Sequence, residues 1–203
     1  MDRVGSAGTK GVPRAAREEQ ILEVASAEIA RVGYAGLSPA TVAAGAGVSK
    51  PLVYAYFGSK DALYTLCVKR SSDALGDAID EVAATIGGHA SSLVRAERTL
   101  TAVFTTLELR PYAWRVVFDA SHPEEGQAAD AARAARRRIA EQAEFGVGAF
   151  LEGRGMTDPG DVSALTAVWM GVVSSLVDWW LRHPEESAAA MTERSRRLLT
   201  VLS

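Results

Sequence analysis

Three serines, two prolines, two tyrosines and two lysines crowd into the stretch from Ser38 to Leu63, SPATVAAGAGVSKPLVYAYFGSKDAL. The hydroxyl and ammonium groups there are hydrogen-bond donors suited to phosphate oxygens and base edges, and their order along the chain is that of short capped helices. Ser38 is placed to cap a helix, and Pro39 fits the first helical position, where no amide partner is lost. Val42, Ala43 and Ala46 form a small apolar face, Gly47 permits a sharp turn, and Val48 plugs it. Ser49 caps again, Pro51 is tolerated in a first turn, and Leu52 to Phe57 carry the next helix before Gly58 ends it and Ser59 caps another. This grammar predicts a helix-turn-helix of the kind that reads DNA.

The linked run Gly33-Tyr34, Ser38, Ala46-Gly47-Val48-Ser49-Lys50, Tyr54-Ala55-Tyr56-Phe57-Gly58-Ser59-Lys60 and Leu63 resembles the tetracycline-repressor-like (TetR) family of bacterial transcriptional regulators. The likeness holds at motif level over about residues 14 to 64 and beyond them only in length and helical character. It implies a homodimer on an inverted-repeat DNA operator, with a small-molecule effector held in a C-terminal bundle: a repressor released by a small apolar ligand, the alternative being an activator or a ligand-independent, architectural DNA binder. It also implies that the helix after Ser49 enters the major groove, presenting Ser49, Lys50, Leu52, Val53, Tyr54 and Tyr56. Lys50 can reach a phosphate or a guanine edge, Tyr54 and Tyr56 can donate to phosphates, and Lys60 matches the family's phosphate-contacting lysine at a helix start. Ser38 caps, with a phosphate contact as a second role. Leu52 and Ala55 replace polar residues common in the family, so the base-reading surface is unusually apolar. Leu52 either touches thymine methyls or turns inward onto the preceding helix.

These residues need a support, because isolated helices this short are marginal in water. Upstream, Ile21, Leu22, Ala25, Ile29 and Val32 recur at helical spacing, Gly33 stops the helix, and Tyr34 and Leu37 pack beneath. Beyond Ser59, helical stretches are expected over about 60–86, 90–109, 111–120, 124–152, 159–182 and 185–202, separated at glycines and prolines. The expected fold is all-α, with about nine helices: a leader over 1–13 read as disordered, a DNA-binding domain over 14–60, and an effector-binding and dimerisation domain over 61–203.

Phe104, Leu107, Trp114, Phe118, Phe145 and Trp169 supply large apolar groups to the middle helices, where the family resemblance implies an effector pocket. Arg115, Asp119, His122 and Glu108 are candidate polar handles. Asp119 and His122 also have a spacing a metal can use, although a helix-end cap explains them equally well. The stretch Val162 to Leu181 is apolar around most of its circumference and about long enough to span a membrane, but its Ser, Thr and Asp residues favour a buried helix in a soluble bundle. The resemblance pairs the last two helices with their twins, implicating Val168, Val172, Ser175, Leu176, Leu198 and Leu202.

The charge of −3 divides unevenly, with an excess of three basic residues over 1–70 and of six acidic residues thereafter, so the basic share lies with the helix-turn-helix. The single Cys67 excludes an internal disulfide and fits a reducing cytoplasm. The histidines are scattered, and neither a zinc spacing nor a phosphate loop is present, so enzyme activity, a metal and a cofactor are not expected. The arginines at 133, 136, 137 and 138 read as a solvated helix face.

Overall fold

The computed structural model describes residues 13–86 and 91–202, with only the backbone of Leu202, and all regular structure among the described residues is helical. The leader over 1–13 falls almost entirely outside them, as does the Gly87-Gly88 break. Among the described residues nine helices follow one another: α1 (Arg14–Gly36), α2 (Pro39–Gly45), α3 (Lys50–Phe57), α4 (Lys60–Thr85), α5 (Ser92–Leu109), α6 (Ala113–Val117), α7 (Gln127–Glu152), α8 (Pro159–Trp180) and α9 (Ala188–Leu202). The expected number of helices is therefore present.

The bounds differ from expectation most at α6, and by three residues at the starts of α7 and α9. The helix expected over 111–120 is only the five residues of α6, and α7 starts at Gln127 rather than Glu124. Gly126, at φ 91°, forces the start of α7, so Glu124 and Glu125 lie in the preceding connection rather than in a first helical turn.

The apolar stripe of α1 becomes a buried wall of Ile21, Leu22, Ala25 and Ile29, against which α2 and α4 pack. α4 runs on from there into the body, where it packs on α5, α6 and α7. At the α4–α7 crossing, Gly76 lets the two helices approach: a Cβ there would come within 2.4 Å of the Arg138 guanidinium carbon. Arg138 reaches past it to Asp77 at 2.7 Å and Asp80 at 2.8 Å, while Gln142 donates to the Gly76 carbonyl at 2.8 Å. The arginine face expected to be solvated is thus divided: Arg133 and Arg137 are exposed, whereas Arg138 ties α7 to α4.

α9 lies along α5, and Trp180 meets Phe104 edge to face with ring centroids 5.4 Å apart. Cys67 is buried, and desolvation pushes its thiol up to about 12, so it is an inert packing residue. One cluster of buried side chains continues from Ile21 in α1 to Met191 in α9. Because Phe104 is fully buried at the α5–α8–α9 junction, Phe104→Ala should cost about 3–5 kcal/mol of stability. Chemical denaturation of the two proteins checks this, and a loss below about 1 kcal/mol would mean that the junction refills.

Candidate nucleic-acid interface

The α2–α3 turn is built by backbone bonds and one side chain from α1. Val48 N donates to the Ala43 carbonyl at 2.9 Å, closing a helix-end loop around Gly47, whose φ of 63° a side chain would oppose. Gln20 Nε2 donates to the Ala46 carbonyl at 3.1 Å and so fixes the turn to α1. Ser49 Oγ accepts from Leu52 N and Ser59 Oγ from Ala62 N, as the capping pattern predicts. Ser38 does not cap through its side chain; it begins α2 in an extended conformation without a side-chain bond to the helix amides.

On α3, Lys50 and Tyr54 stand one turn apart on the exposed side, the ammonium 5.8 Å from the ring centroid. Tyr54 is 40% exposed, Ser49 is exposed, and Leu52 is half-exposed and does not join the buried cluster. Val53 is a correction: at 2% exposure it belongs to the core and is not part of the outward face of α3. Tyr56 is half-buried against that core, with the Arg14 guanidinium 5.0 Å from its ring centre. Lys60 sits at the start of α4 with Nζ 4.3 Å above the Tyr34 ring and 3.4 Å from the Ala35 carbonyl. The surface therefore presents Arg14, Lys50 and Lys60 with two aromatic hydroxyls.

Behind this surface, the connection following α6 clasps the end of α1. Asp119 Oδ2 accepts from Tyr34 N at 2.9 Å and from the Tyr64 hydroxyl at 3.0 Å, while Oδ1 accepts from Ser121 N and Oγ. Ser121 Oγ in turn accepts from Ala35 N at 3.2 Å. Gly33, at φ 68°, makes room: a Cβ there would stand 2.1 Å from Ser121 Oγ. Burial pushes the Asp119 carboxyl up, but the bonds from Ser121, Tyr34 and Tyr64 outweigh it and hold the group below its ordinary range. The sequence pattern does not reveal this clasp, since it joins residues 85 positions apart. Asp119 and His122 do not share a metal site: His122 contacts Arg136 and the Pro123 carbonyl, and among the described residues no cluster of metal-ligand type exists.

Most of the large apolar groups named for an effector pocket are packed rather than open to a cavity. Phe104, Leu107 and Trp114 are closed into the core, Phe118 packs on Trp114 with ring centroids 4.5 Å apart, and Trp169 packs partly buried against the cluster. Phe145 is 73% exposed. An open cavity of about 780 Å³ lies instead between α1, α5, α6 and the α8–α9 turn, reached by Leu107 alone of the six. Two of the four polar handles, Glu108 and Arg115, line it.

α8 is also uncovered. Its length and mean hydropathy of 1.4 would suffice to cross a membrane, but only 11% of that window is buried, against the expectation of a buried helix. Val168 is 61% exposed, Ser175 and Leu198 are exposed, Val172 and Leu176 are half-buried, and the Leu202 side chain is outside the described residues.

Residues 21–66 match the family model described as bacterial regulatory proteins, tetR family. No curated protein matches the chain. Among solved structures, a TetR-family transcriptional regulator from Bordetella parapertussis 12822 superposes with a TM-score of 0.73 at 22% identity, over 89% of this chain and 92% of that one. A TetR-like regulator from Rhodococcus sp. RHA1 gives 0.69 at 21% identity over 93% and 96%. AibR, solved with isovaleryl coenzyme A and operator DNA, gives 0.69 at 17% identity over 90% and 97%.

Tyr34 offers a pH test of the base of this surface. Its hydroxyl donates to Asp61 Oδ1 at 2.5 Å, and that bond, aided by burial and the carboxylate charge, pushes its pKa up to about 12. A tyrosine raised on folding adds stability that is complete below its unfolded pKa of about 10 and is lost as pH rises through the folded value. Ultraviolet titration should show a phenol ionising near 12 that returns toward 10 in Asp61→Asn, while Tyr64, which burial and Asp119 also push up, stays late in both proteins. An unchanged titration would remove the contact from the account.

Proposed function

We propose that this chain, a member of the tetR family of bacterial regulatory proteins through residues 21–66, is a dimeric, non-enzymatic transcriptional repressor that leaves its operator when a small molecule binds the body. The observation that carries this is the outward face of α3, where Lys50 and Tyr54 stand exposed on a helix held in place by Gln20, Ser49 and the buried Val53. A head over 14–60 reads DNA in the cytoplasm, and the remainder, 61–203, holds the effector and pairs the protomers. Ser49, Lys50, Leu52 and Tyr54 meet the groove, with Lys50 and Leu52 nearest the base edges. Tyr56, Lys60 and Ser38 flank it, close enough for phosphate oxygens.

The second copy is argued from α8. A mean hydropathy of 1.4 on a helix so little buried leaves an apolar face without cover, while small residues such as Gly171 and Ser175 let a twin helix come close. Val168, Val172, Ser175, Leu176, Leu198 and Leu202 form that interface. Two-fold symmetry then sets the recognition helices on successive major grooves, about 34 to 36 Å apart, over an inverted repeat. AibR supports the general scheme of one fold serving both a coenzyme A thioester and an operator. Ligand and DNA then oppose each other through a coupling energy of about 1–3 kcal/mol.

Selection of bound DNA from a random pool should return an inverted repeat; a pool without symmetry or preference would sink the reading. On the selected site, Lys60→Ala should lower the slope of log affinity against log salt by roughly 0.9 and weaken all sequences alike, whereas Lys50→Ala should also relax discrimination. Equal losses on selected and random DNA for both variants would refute that division. Light scattering at micromolar concentration should give a dimer, and Val168→Glu with Leu198→Glu a monomer with weakened operator binding. A wild-type monomer would transfer the α8 face to another partner.

A further inference from the structure

One arginine of the head is buried without a counter-ion. Arg17 closes the first turn of α1 with 9% of its surface exposed, and among the described residues it makes no ion pair. Burial penalises its charge, and so does the positive end of the helix dipole, because the first turn of α1 holds no acidic residue. Its one side-chain hydrogen bond runs from Nη1 to Gln20 Oε1 at 2.7 Å. Gln20 Nε2 in turn donates to the Ala46 carbonyl at 3.1 Å. Ala46 is buried at the end of α2, and among the described residues no backbone amide donates to its carbonyl, so Gln20 supplies the partner that a buried acceptor requires. Arg14, three positions before Arg17 on the same side of the helix, lies over the Tyr56 ring. The stripe of Arg14, Arg17 and Gln20 therefore runs along α3 and the turn before it.

We propose that Arg17 is the positioning residue that sets the DNA-reading helix α3, acting through the Gln20 amide. This deepens the DNA-reading role proposed above and rests on it. A guanidinium has donors and no acceptor, so only the oxygen end of the Gln20 amide can face it. The nitrogen end is thereby turned to Ala46; with the amide reversed, donor would meet donor at Arg17 and acceptor would meet acceptor at Ala46. The charge also polarises the amide, which makes Nε2 the stronger donor. From Ala46 the chain passes through Gly47, at φ 63°, to the Ser49 cap and Lys50, so the direction of this carbonyl fixes where α3 starts. Lys50 and Tyr54 thus owe their placement to a residue that presents almost none of its own charge to DNA.

On DNA a positioning residue and a phosphate contact behave differently. Arg17→Met keeps an unbranched apolar stem and removes the donor. It should weaken binding of the full protein to the selected operator about tenfold and to random DNA less than about threefold, with the slope of log affinity against log salt unchanged. Equal losses on both DNAs, with a slope lower by roughly 0.9, would make Arg17 a direct phosphate contact and overturn the relay. Gln20→Leu should give the same loss, and Arg17→Met added to it should cost nothing further, since the path is already cut. Additive losses would overturn the relay as well. Thermal melting of each variant identifies any whose loss is one of folding. The wild-type protein supplies a reading that needs neither variant nor DNA. By nuclear magnetic resonance, the bonded side-chain amide proton of Gln20 should exchange with water about tenfold more slowly than those of the exposed Gln127. Exchange as fast as at Gln127 would overturn the relay whatever the DNA results. If the wild-type protein selects no operator, the repressor reading fails, while slow Gln20 exchange and its loss in Arg17→Met still decide the relay.

Discussion

The carboxylate of Asp119 is the constraint on which the arrangement of the chain depends. It gathers a backbone amide from the end of α1, a hydroxyl from α4 and two donors from its own connection, so three segments distant in sequence meet at one charged group. Charged acceptors form the stronger hydrogen bonds, and the half-buried setting shields these from competition with water. Without the kink at Gly33 the α1 amides would be spent within the helix, and without Ser121 the second oxygen would lack its donors. The orientation of the helix-turn-helix relative to the body is therefore a property of this junction as much as of either part.

α4 supplies the rigid complement. It starts beside the candidate DNA surface at Lys60 and runs on along the body, and Arg138 and Gln142 from α7 grip it where Gly76 allows close approach. α7 is thus joined to the head along α4, and the segment after α6 through the clasp. The two routes converge on Tyr34 and Tyr64, whose rings meet edge to face with centroids 5.0 Å apart.

Much of this architecture was legible in the chain itself. The caps at Ser49 and Ser59, the glycine turn at 47 and the apolar stripe of α1 are local patterns, and local patterns report local structure. Ser38 failed as a side-chain cap because sequence shows a residue type and not its rotamer. Val53 was misplaced because a helix of eight residues leaves its inward and outward faces only three or four positions each. The cavity beside α1 was not legible for a different reason. Large apolar residues mark where a core closes, and Phe104, Leu107 and Trp114 close it; the space that remains lies between elements brought together by tertiary packing. Phe145 illustrates the converse, since an aromatic on the outer face of α7 has the same letter as one in a core.

The uncovered face of α8 ties the protein to mass action. A helix this apolar and this little buried within one chain gains its shelter only at a rate and extent set by how many copies are present. Whatever covers it then contributes to folding stability, so diluting that partner loosens the chain as well as separating the two. A chain built this way is tied to the abundance of what shelters α8: below the concentration at which the face is covered, it loses part of its resistance to unfolding.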